Sequence, residues 1–199
     1  MRGDAAPLIL ASTSPYRREL LARLRIPFEA ASPSFEEQRP GGMAVADLVR
    51  HNTVGKARAV ARARPDAWVV ASDQLAACEG EVLGKPGDHA TACSQLERLS
   101  GRVVDFMTGV ALQGAGVEYY EMVPFRVFFR KLSASEIDHY LRLEQPYDCA
   151  GSFKSEGLGI ALFEWMQGDD PTALIGLPLI TLSGWLNPLQ EMERGVVLS

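Results

Sequence analysis

A chain of 199 residues with 47% hydrophobic residues has the composition of a globular protein that can bury a sizeable core. Its formal net charge of −5 argues against a duplex nucleic-acid surface, which needs a broad basic patch, so we expect no nucleic-acid partner. No segment approaches the roughly 18 consecutive apolar residues of a membrane helix. We therefore expect no membrane partner, a cytoplasmic location and one domain over residues 1–199.

Neither the cysteines nor the histidines are spaced as a disulfide framework or a metal site. The three cysteines are an odd number with no close pair, which fits a reducing compartment. We predict that they are small buried residues. The three histidines fall in predicted helices and are expected at the surface, so a Ser-His-Asp hydrolase is poorly supported.

The first predicted elements are a strand and a helix joined by a hydroxyl-rich turn. The apolar strand at residues 8–11 runs into Ser12 and two further hydroxyl residues, and Pro15 suits the first position of a helix. Arg17 and Arg18 follow in the first turn, where the helix dipole disfavours cations unless an anion is bound. Free backbone N–H groups at a helix start favour phosphate, so we predict a phosphate site containing Ser12, Arg17 and Arg18. The alternative is a capped surface helix with two solvated arginines.

This phosphate site is not of a glycine-rich type. The sequence has no GxxxxGK[ST] motif and no GxGxxG after a strand, which argues against a P-loop or a dinucleotide site. Side chains would have to hold the phosphates, so further inward-facing cations are expected.

The next segment supplies a lysine and a carboxylate. A short strand at residues 28–31 and a turn-rich loop precede a helix predicted over residues 44–64, in which Lys56 lies on the inward face. Lys56 is expected either to contact a ligand or, nearly as readily, to extend to solvent. The apolar run at residues 68–72 predicts a buried central strand that ends at Asp73. Ligands gather at the carboxyl ends of such strands, so Asp73 is a candidate site residue.

The rest of the chain alternates between strands and helices. The predicted elements are a hairpin at 75–83, a helix to about 99, strands at 103–113 and 117–129, a helix from a capping box at Ser133 and Glu136 to about 143, a strand reaching Phe163, and a last helix at 177–186 followed by a partly mobile tail. This order predicts an α/β fold with a mixed twisted sheet flanked by helices. A cleft is expected between the sheet ends and the long β ribbon.

Several motifs together resemble one family. They are SPYRR at 14–18, Glu36 and Glu37, Lys56, SDQ at 72–74, GKP at 84–86, AGSFKSEG at 150–157 and GLPL at 176–179. Over nearly the whole chain the set resembles the Maf family of nucleoside triphosphate pyrophosphatases. The resemblance implies an ITPase-like fold with two lobes around a central cleft, often in a homodimer. It is strongest to the branch that hydrolyses 7-methyl-GTP to 7-methyl-GMP and pyrophosphate.

The resemblance also implies roles for individual residues. Catalysis of attack at phosphorus is mainly positioning and charge neutralisation. The cations expected at the phosphates are Arg17, Arg18, Lys56 and Lys85. A magnesium or manganese ion needs hard oxygen ligands, for which Glu37 and Asp73 are the candidates. Asp73 would also accept a proton from the attacking water.

Base selection is assigned to three positions at which the branch acting on thymidine and uridine triphosphates has arginine, threonine and glutamine. These are Tyr16, Gln74 and Glu156 in this chain. The 7-methylguanine ring is positively charged, and an aromatic face at Tyr16 attracts a cation where an arginine would repel it. Glu156 can accept hydrogen bonds from the guanine N1–H and exocyclic amine together. We predict that these three residues set the preference for 7-methylguanine.

Two alternatives stay open at this point. One is the same hydrolysis on other nucleotides, such as UTP, dTTP or CTP. The other is a regulator that binds a nucleotide and arrests cell division, as the family's septum-inhibitor name suggests. The roles of Lys154 and Ser155 also stay open.

Overall fold

A seven-stranded mixed sheet forms the centre of the structure, a computed structural model that describes residues 6–38 and 41–193. The strands are β1 (Leu8–Ala11), β2 (Glu29–Ala31), β3 (Trp68–Cys78), β4 (Glu81–Leu83), β5 (Val103–Gly114), β6 (Val117–Phe129) and β7 (Phe163–Gln167). The helices are α1 (Pro15–Ala22), α2 (Val45–Ala63), α3 (His89–Leu99), α4 (Ala134–Glu144), α5 (Pro171–Ile175) and α6 (Leu179–Glu193). The predicted α/β fold is thereby confirmed.

The sheet combines parallel and antiparallel pairing. The strand order is β2-β1-β3-β5-β6-β7, with β4 paired to β3. β1 runs parallel to both of its neighbours, and the pairs from β3 to β7 are antiparallel. Helices that connect parallel strands must cover the faces of that part of the sheet.

Alternating side chains of β1 divide the first lobe into two layers. Leu8 and Leu10 pack with α1 and α6 on one face, whereas Ile9 and Ala11 pack against α2 on the other. A second apolar cluster lies where α3 and α4 meet the ends of β3, β5 and β6, and Phe129 and Phe153 are among its members. The two clusters form the two lobes that the resemblance implies, and a cleft lies between them.

Local signals in the sequence explain several helix starts. The Ser14 side chain accepts a hydrogen bond from Arg17 N, and Pro15 occupies the first turn of α1. The predicted capping box at the start of α4 is present, with Ser133 and Glu136 bonding reciprocally. These local predictions are confirmed because they depend only on residues within one turn of each other.

Other boundaries differ from those predicted. The strand predicted to end at Asp73 continues to Cys78, because residues 73–77 keep pairing with β5. Asp73 lies three positions past Val70, the last residue of β3 that pairs with β1. The strand expected to reach Phe163 instead begins there, and the short helix α5 was not predicted. The last helix continues to Glu193, and the rest of the predicted tail lies outside the described residues.

The cysteines and histidines agree only in part with the predictions of buried cysteines and surface histidines. Cys78 is buried, the other two cysteines are half-buried, and all three are free. His51 and His139 are exposed, whereas His89 is half-buried. Among the described helices, none has the length and apolar character needed to cross a membrane.

Candidate active site

A cavity of about 380 Å³ lies between the two lobes. It is bounded by the turn between β1 and α1, the loop after β2, the middle of β3 and the segment after α4. The residues predicted at the site that line it are Ser12, Tyr16, Arg17, Glu37, Lys56, Gln74, Lys85 and Glu156. The structure therefore brings eight of the ten predicted residues to one cavity.

Lys56 occupies the centre of the charged part of the site. It lies on the inward face of α2 and is only 3% exposed. Its Nζ donates to Asp73 Oδ1 at 2.7 Å and lies 2.6 Å from Glu37 Oε1. The alternative in which Lys56 extends to solvent is therefore wrong, since a buried ammonium group needs these carboxylates.

Asp73 faces an adjoining open cleft rather than the main cavity. This second cleft is lined by Asp73 and Asn52, and it shares Glu37, Gln74 and Lys85 with the main cavity. The shared residues form the boundary between the two spaces. The carboxylate of Asp73 therefore borders the second cleft, next to the residues that the two spaces share.

Asn52 is a site residue that the sequence analysis missed. It lies one turn before Lys56 on α2, and its Nδ2 donates to Asp73 Oδ2 at 3.2 Å. The same amide bonds the backbone of Gln38 in both directions, at 3.0 and 3.1 Å. A buried amide four residues from Lys56 on the inward face was the available signal.

The loop that carries Glu37 also packs directly on α2. A Cβ at Gly55 would come within 2.2 Å of the Phe35 ring, so only glycine permits this close approach. Together with the Asn52 contacts, this packing holds the Glu37 carboxylate over Lys56.

The ionised form of Glu37 is favoured despite its partial burial. Burial raises the pKa of Glu37, but the hydrogen bond and charge of Lys56 outweigh it, with help from Arg17 and Lys85. The net result is a pKa below the usual glutamate value. The carboxylate therefore remains charged at neutral pH and can act as an oxygen ligand.

The side chains of Arg17 and Arg18 lie at different surfaces, although both were predicted to bind phosphate. Arg17 lines the cavity, and its Nε donates to Gly176 O at 3.0 Å. Burial lowers the pKa of Arg17, and the charges of Asp73 and Glu37 oppose that effect. Arg18 is exposed and lines a separate groove with Arg25 and other residues, so its predicted place at the phosphates does not agree with the structure.

Ser12 and Lys85 both line the cavity. Ser12 is buried and its Oγ accepts a hydrogen bond from Ser14 N at 3.1 Å, which shapes the turn before α1. Lys85 is exposed, and no ion pair with another described residue engages its ammonium group. It is therefore available to an anionic ligand.

The three residues predicted to select the base have different surroundings. Tyr16 Oη donates to Asp148 Oδ2 at 3.2 Å, and Glu156 is exposed at the cavity wall. Burial raises the pKa of Tyr16, with smaller contributions from Cys149 and Asp148, so the hydroxyl keeps its proton.

Gln74 has a structural task besides lining the cavity. Its Nε2 lies within 3.1 Å of Thr108 Oγ1, Ala173 O and Leu174 O, which ties β3 and β5 to α5. Since these contacts use both amide protons, the carbonyl oxygen is the atom of Gln74 left for a ligand.

Lys154 and Ser155 are neighbours in the segment after α4, but their side chains have different environments. Lys154 Nζ donates to Glu144 O at 3.3 Å at the end of α4, and Lys154 does not line the cavity. Ser155 does line it, and its Oγ donates to Glu156 Oε2 at 3.3 Å. Lys154 therefore anchors the segment, whereas Ser155 contributes to the cavity wall.

The donors for a metal ion are two carboxylates. The described residues contain no group of three or more His, Cys, Asp or Glu side chains that could hold a metal ion. Glu37 and Asp73 bind one ammonium group, so their oxygens lie near each other. A magnesium ion commonly takes one or two carboxylates together with substrate phosphates and water, and this pair fits that pattern.

The sequence of this chain is similar to a known family and to named relatives. A family model described as Maf-like protein matches residues 7–189. A protein of Albidiferax ferrireducens named 7-methyl-GTP pyrophosphatase is 54% identical over 87% of this chain and 88% of its own length. A protein of the same name from Pseudomonas aeruginosa is 48% identical over 95% of this chain and 97% of its own.

One solved structure supports the fold. The Staphylococcus aureus Ham1 protein is similar with a TM-score of 0.51 and 14% identity, covering 92% of this chain and 98% of that chain. At this identity the likeness extends to the fold alone.

Proposed function

This chain belongs to the Maf family, and from that premise we propose that it hydrolyses 7-methyl-GTP to 7-methyl-GMP and pyrophosphate. The observation that carries the proposal is the buried Lys56, paired with Glu37 and Asp73 beside a cavity that also contains Arg17. Such a nucleoside triphosphate pyrophosphatase would remove a modified nucleotide from the pool. The names of the relatives support this choice of substrate.

The phosphates would bind at the cationic part of the cavity. Arg17 and Lys85 line the cavity, and the turn at Ser12 adds hydroxyl and backbone groups. A triphosphate chain carries several negative charges, so these groups would neutralise and orient it. The buried ammonium group of Lys56 would add positive charge near the phosphates.

Asp73 is assigned the role of proton acceptor. Water would attack the α-phosphorus from the second cleft, the bond from that phosphorus to the bridging oxygen would break, and pyrophosphate would leave. The water proton would pass to Asp73, whose oxygens are held by Lys56 and Asn52. These two contacts would fix the direction in which the remaining lone pairs point.

A divalent cation, magnesium or manganese, is part of the proposal. Glu37 and Asp73 would hold it together with phosphate oxygens. When bound, it would supply charge stabilisation at the phosphates and lower the pKa of water. Removal of divalent cations with EDTA should abolish turnover, and added Mg²⁺ or Mn²⁺ should restore it.

The base would lie against Tyr16, with Glu156 accepting from the N1–H and the exocyclic amine. Gln74 would contribute its carbonyl oxygen only, since its amide nitrogen holds α5. A cytoplasmic location and a homodimer complete the proposal. Sedimentation of the purified chain tests the dimer.

The deciding experiment is pyrophosphate release from 7-methyl-GTP, GTP, UTP, dTTP and CTP with Mg²⁺ or Mn²⁺. Asp73→Asn serves as the blank, because it keeps the size of the side chain and removes the carboxylate. Turnover of 7-methyl-GTP that the blank abolishes supports both the reaction and the base. A preference for pyrimidine nucleotides would be consistent with the proposed mechanism but would contradict the assignment of the base. No turnover of any nucleotide would favour a regulator that only binds nucleotide.

A further inference from the structure

The cavity contains two groups of lining residues with opposite charge. Arg17, Lys56 and Lys85 surround the part assigned to the phosphates, where they outnumber the one lining carboxylate, Glu37. Asp148 and Glu156 lie on the wall formed by the segment after α4. Asp148 has no role in the preceding account, although its carboxylate borders the space in which the base would bind.

Tyr16 fixes the position of Asp148. The Tyr16 Oη lies 3.2 and 3.4 Å from the two oxygens of Asp148, and the contact joins the start of α1 to the turn after α4. Cys149 Sγ lies 3.6 Å from the same hydroxyl, and Cys149 N donates to Pro146 O in that turn. The carboxylate is therefore held beside the Tyr16 ring, even though Asp148 is exposed.

The hydrogen bonds assigned to Glu156 do not by themselves distinguish a methylated base from an unmethylated one. The N1–H and exocyclic amine that it would bind are present on both guanine and 7-methylguanine. Methylation at N7 adds a positive charge to the ring. Besides contacts with the methyl group itself, carboxylates and aromatic faces that attract this charge can distinguish the two bases.

We propose that Asp148 is a further specificity residue, which together with Tyr16 selects the cationic 7-methylguanine ring over neutral guanine. Its negative charge attracts the cation directly. The hydrogen bond from Tyr16 to this carboxylate also increases electron density on the aromatic face that meets the cation. This inference rests on the proposed function, and it assigns Asp148 to base binding rather than to the reaction.

Asp148→Asn tests the inference with little change of shape, because the asparagine oxygen still accepts the Tyr16 hydrogen bond. The ratio of kcat/KM for 7-methyl-GTP to that for GTP should fall roughly threefold to fivefold, as expected for an exposed charge pair. The change should lie in KM rather than kcat. Asp148→Glu should restore most of the ratio.

Asp138→Asn is the matched control. Asp138 is a carboxylate on α4 that pairs with Arg142 and does not line the cavity. The control removes the same charge from the same lobe and should leave the ratio unchanged. An equal fall in both variants would overturn the inference, because the effect would then come from net charge.

Binding of 7-methyl-GMP and GMP, measured by calorimetry on the same proteins, makes the test independent of turnover. The wild type should prefer 7-methyl-GMP, and Asp148→Asn should lose roughly threefold to fivefold of that preference. Absence of a wild-type preference, or a preference that Asp148→Asn retains, overturns the role of Asp148. If the wild type binds 7-methyl-GMP with the expected preference but hydrolyses no nucleotide, the proposed function fails while Asp148 keeps its role.

Discussion

Lys56 on α2 donates a hydrogen bond to Asp73 on β3, with 2.7 Å between Nζ and Oδ1. Both residues are buried, and Glu37 approaches the same ammonium group from the loop after β2. One positive charge thus faces two negative charges. The group has one negative charge in excess, which suits a divalent cation arriving with an anionic substrate.

Replacing Lys56 with methionine should impair both stability and turnover. The change keeps most of the side-chain volume but leaves Asp73 buried without its cation, and we expect a loss of about 3 kcal/mol in the free energy of unfolding. Pyrophosphate release should fall about 100-fold, because a group that stabilises charge at the phosphates is gone. Urea denaturation and a turnover assay measure the two effects.

The control for this variant lies on the same helix. Arg58 pairs with Glu118 at the surface, at 2.8 Å between Nε and Oε2. Arg58→Met should change stability by less than about 1 kcal/mol and leave turnover intact, because exposed ion pairs contribute little. A Lys56→Met protein as stable and active as Arg58→Met would contradict the central role of Lys56.

Neighbouring arginines give a second prediction. Arg17→Ala should lower kcat/KM about 100-fold, since Arg17 lines the cavity and holds Gly176 O. Arg18→Ala should stay within about twofold of the wild type, because Arg18 faces a separate groove. Steady-state kinetics on both variants measures the difference, and similar losses would restore Arg18 to the phosphate site.

Asp170 carries a third prediction, which concerns stability. This carboxylate is only 2% exposed, and it accepts hydrogen bonds from Thr172 N and from Ile180 N at 2.9 and 2.7 Å. It therefore joins the starts of α5 and α6, next to the Gly176 segment that holds Arg17. Asp170→Ala should cost about 2 to 3 kcal/mol, because a cap is lost and buried N–H groups are left unpaired.

The neighbour of Asp170 provides its control. Asp169 is exposed, and Asp169→Ala should lie within about 0.5 kcal/mol of the wild type. Thermal unfolding of the two variants makes the comparison. Equal melting temperatures would show that the contacts of Asp170 add nothing to stability.

Local patterns in the sequence predicted much of the fold. The inward position of Lys56 follows from apolar spacing along one helix, and the capping box at Ser133 and Glu136 needs only four consecutive residues. The end of β3 was misplaced because residues 73–77 pair with residues 105–109 of β5, which are distant in the sequence. A strand boundary of that kind is set by the partner strand rather than by the strand itself.

The parts of the site that the sequence did not predict are contacts between residues far apart in the chain. Tyr16 and Asp148 are 132 residues apart, and nothing near either residue indicates the other. Arg17 and Arg18 are adjacent, so both satisfy the same motif, yet neighbouring helical residues point in different directions. Asn52 lies one turn before Lys56 on α2, but its bonds to the loop at Gln38 are formed only in the tertiary structure.

Glu136 gives a prediction about pH. Its Oε2 accepts hydrogen bonds from Ser133 N and Oγ, and its Oε1 accepts one from Arg130. These contacts lower the pKa of Glu136 from its ordinary 4.5 to about 2. The hydrogen bond from the Ser133 backbone contributes most to this shift, followed by those from the Ser133 hydroxyl and Arg130.

A carboxylate with a lowered pKa stabilises the folded state only while it is ionised. The contribution of Glu136 should therefore be complete above about pH 4.5 and disappear as the pH falls through about 2. In urea denaturation, the wild type should exceed Glu136→Gln in stability at pH 7, and the difference should shrink between pH 4.5 and 2. Glu97→Gln, the same substitution at an exposed position on α3, is the control for the loss of one carboxylate. A Glu136→Gln difference that stays constant from pH 7 to pH 2 would mean that ionisation of this capping box does not stabilise α4.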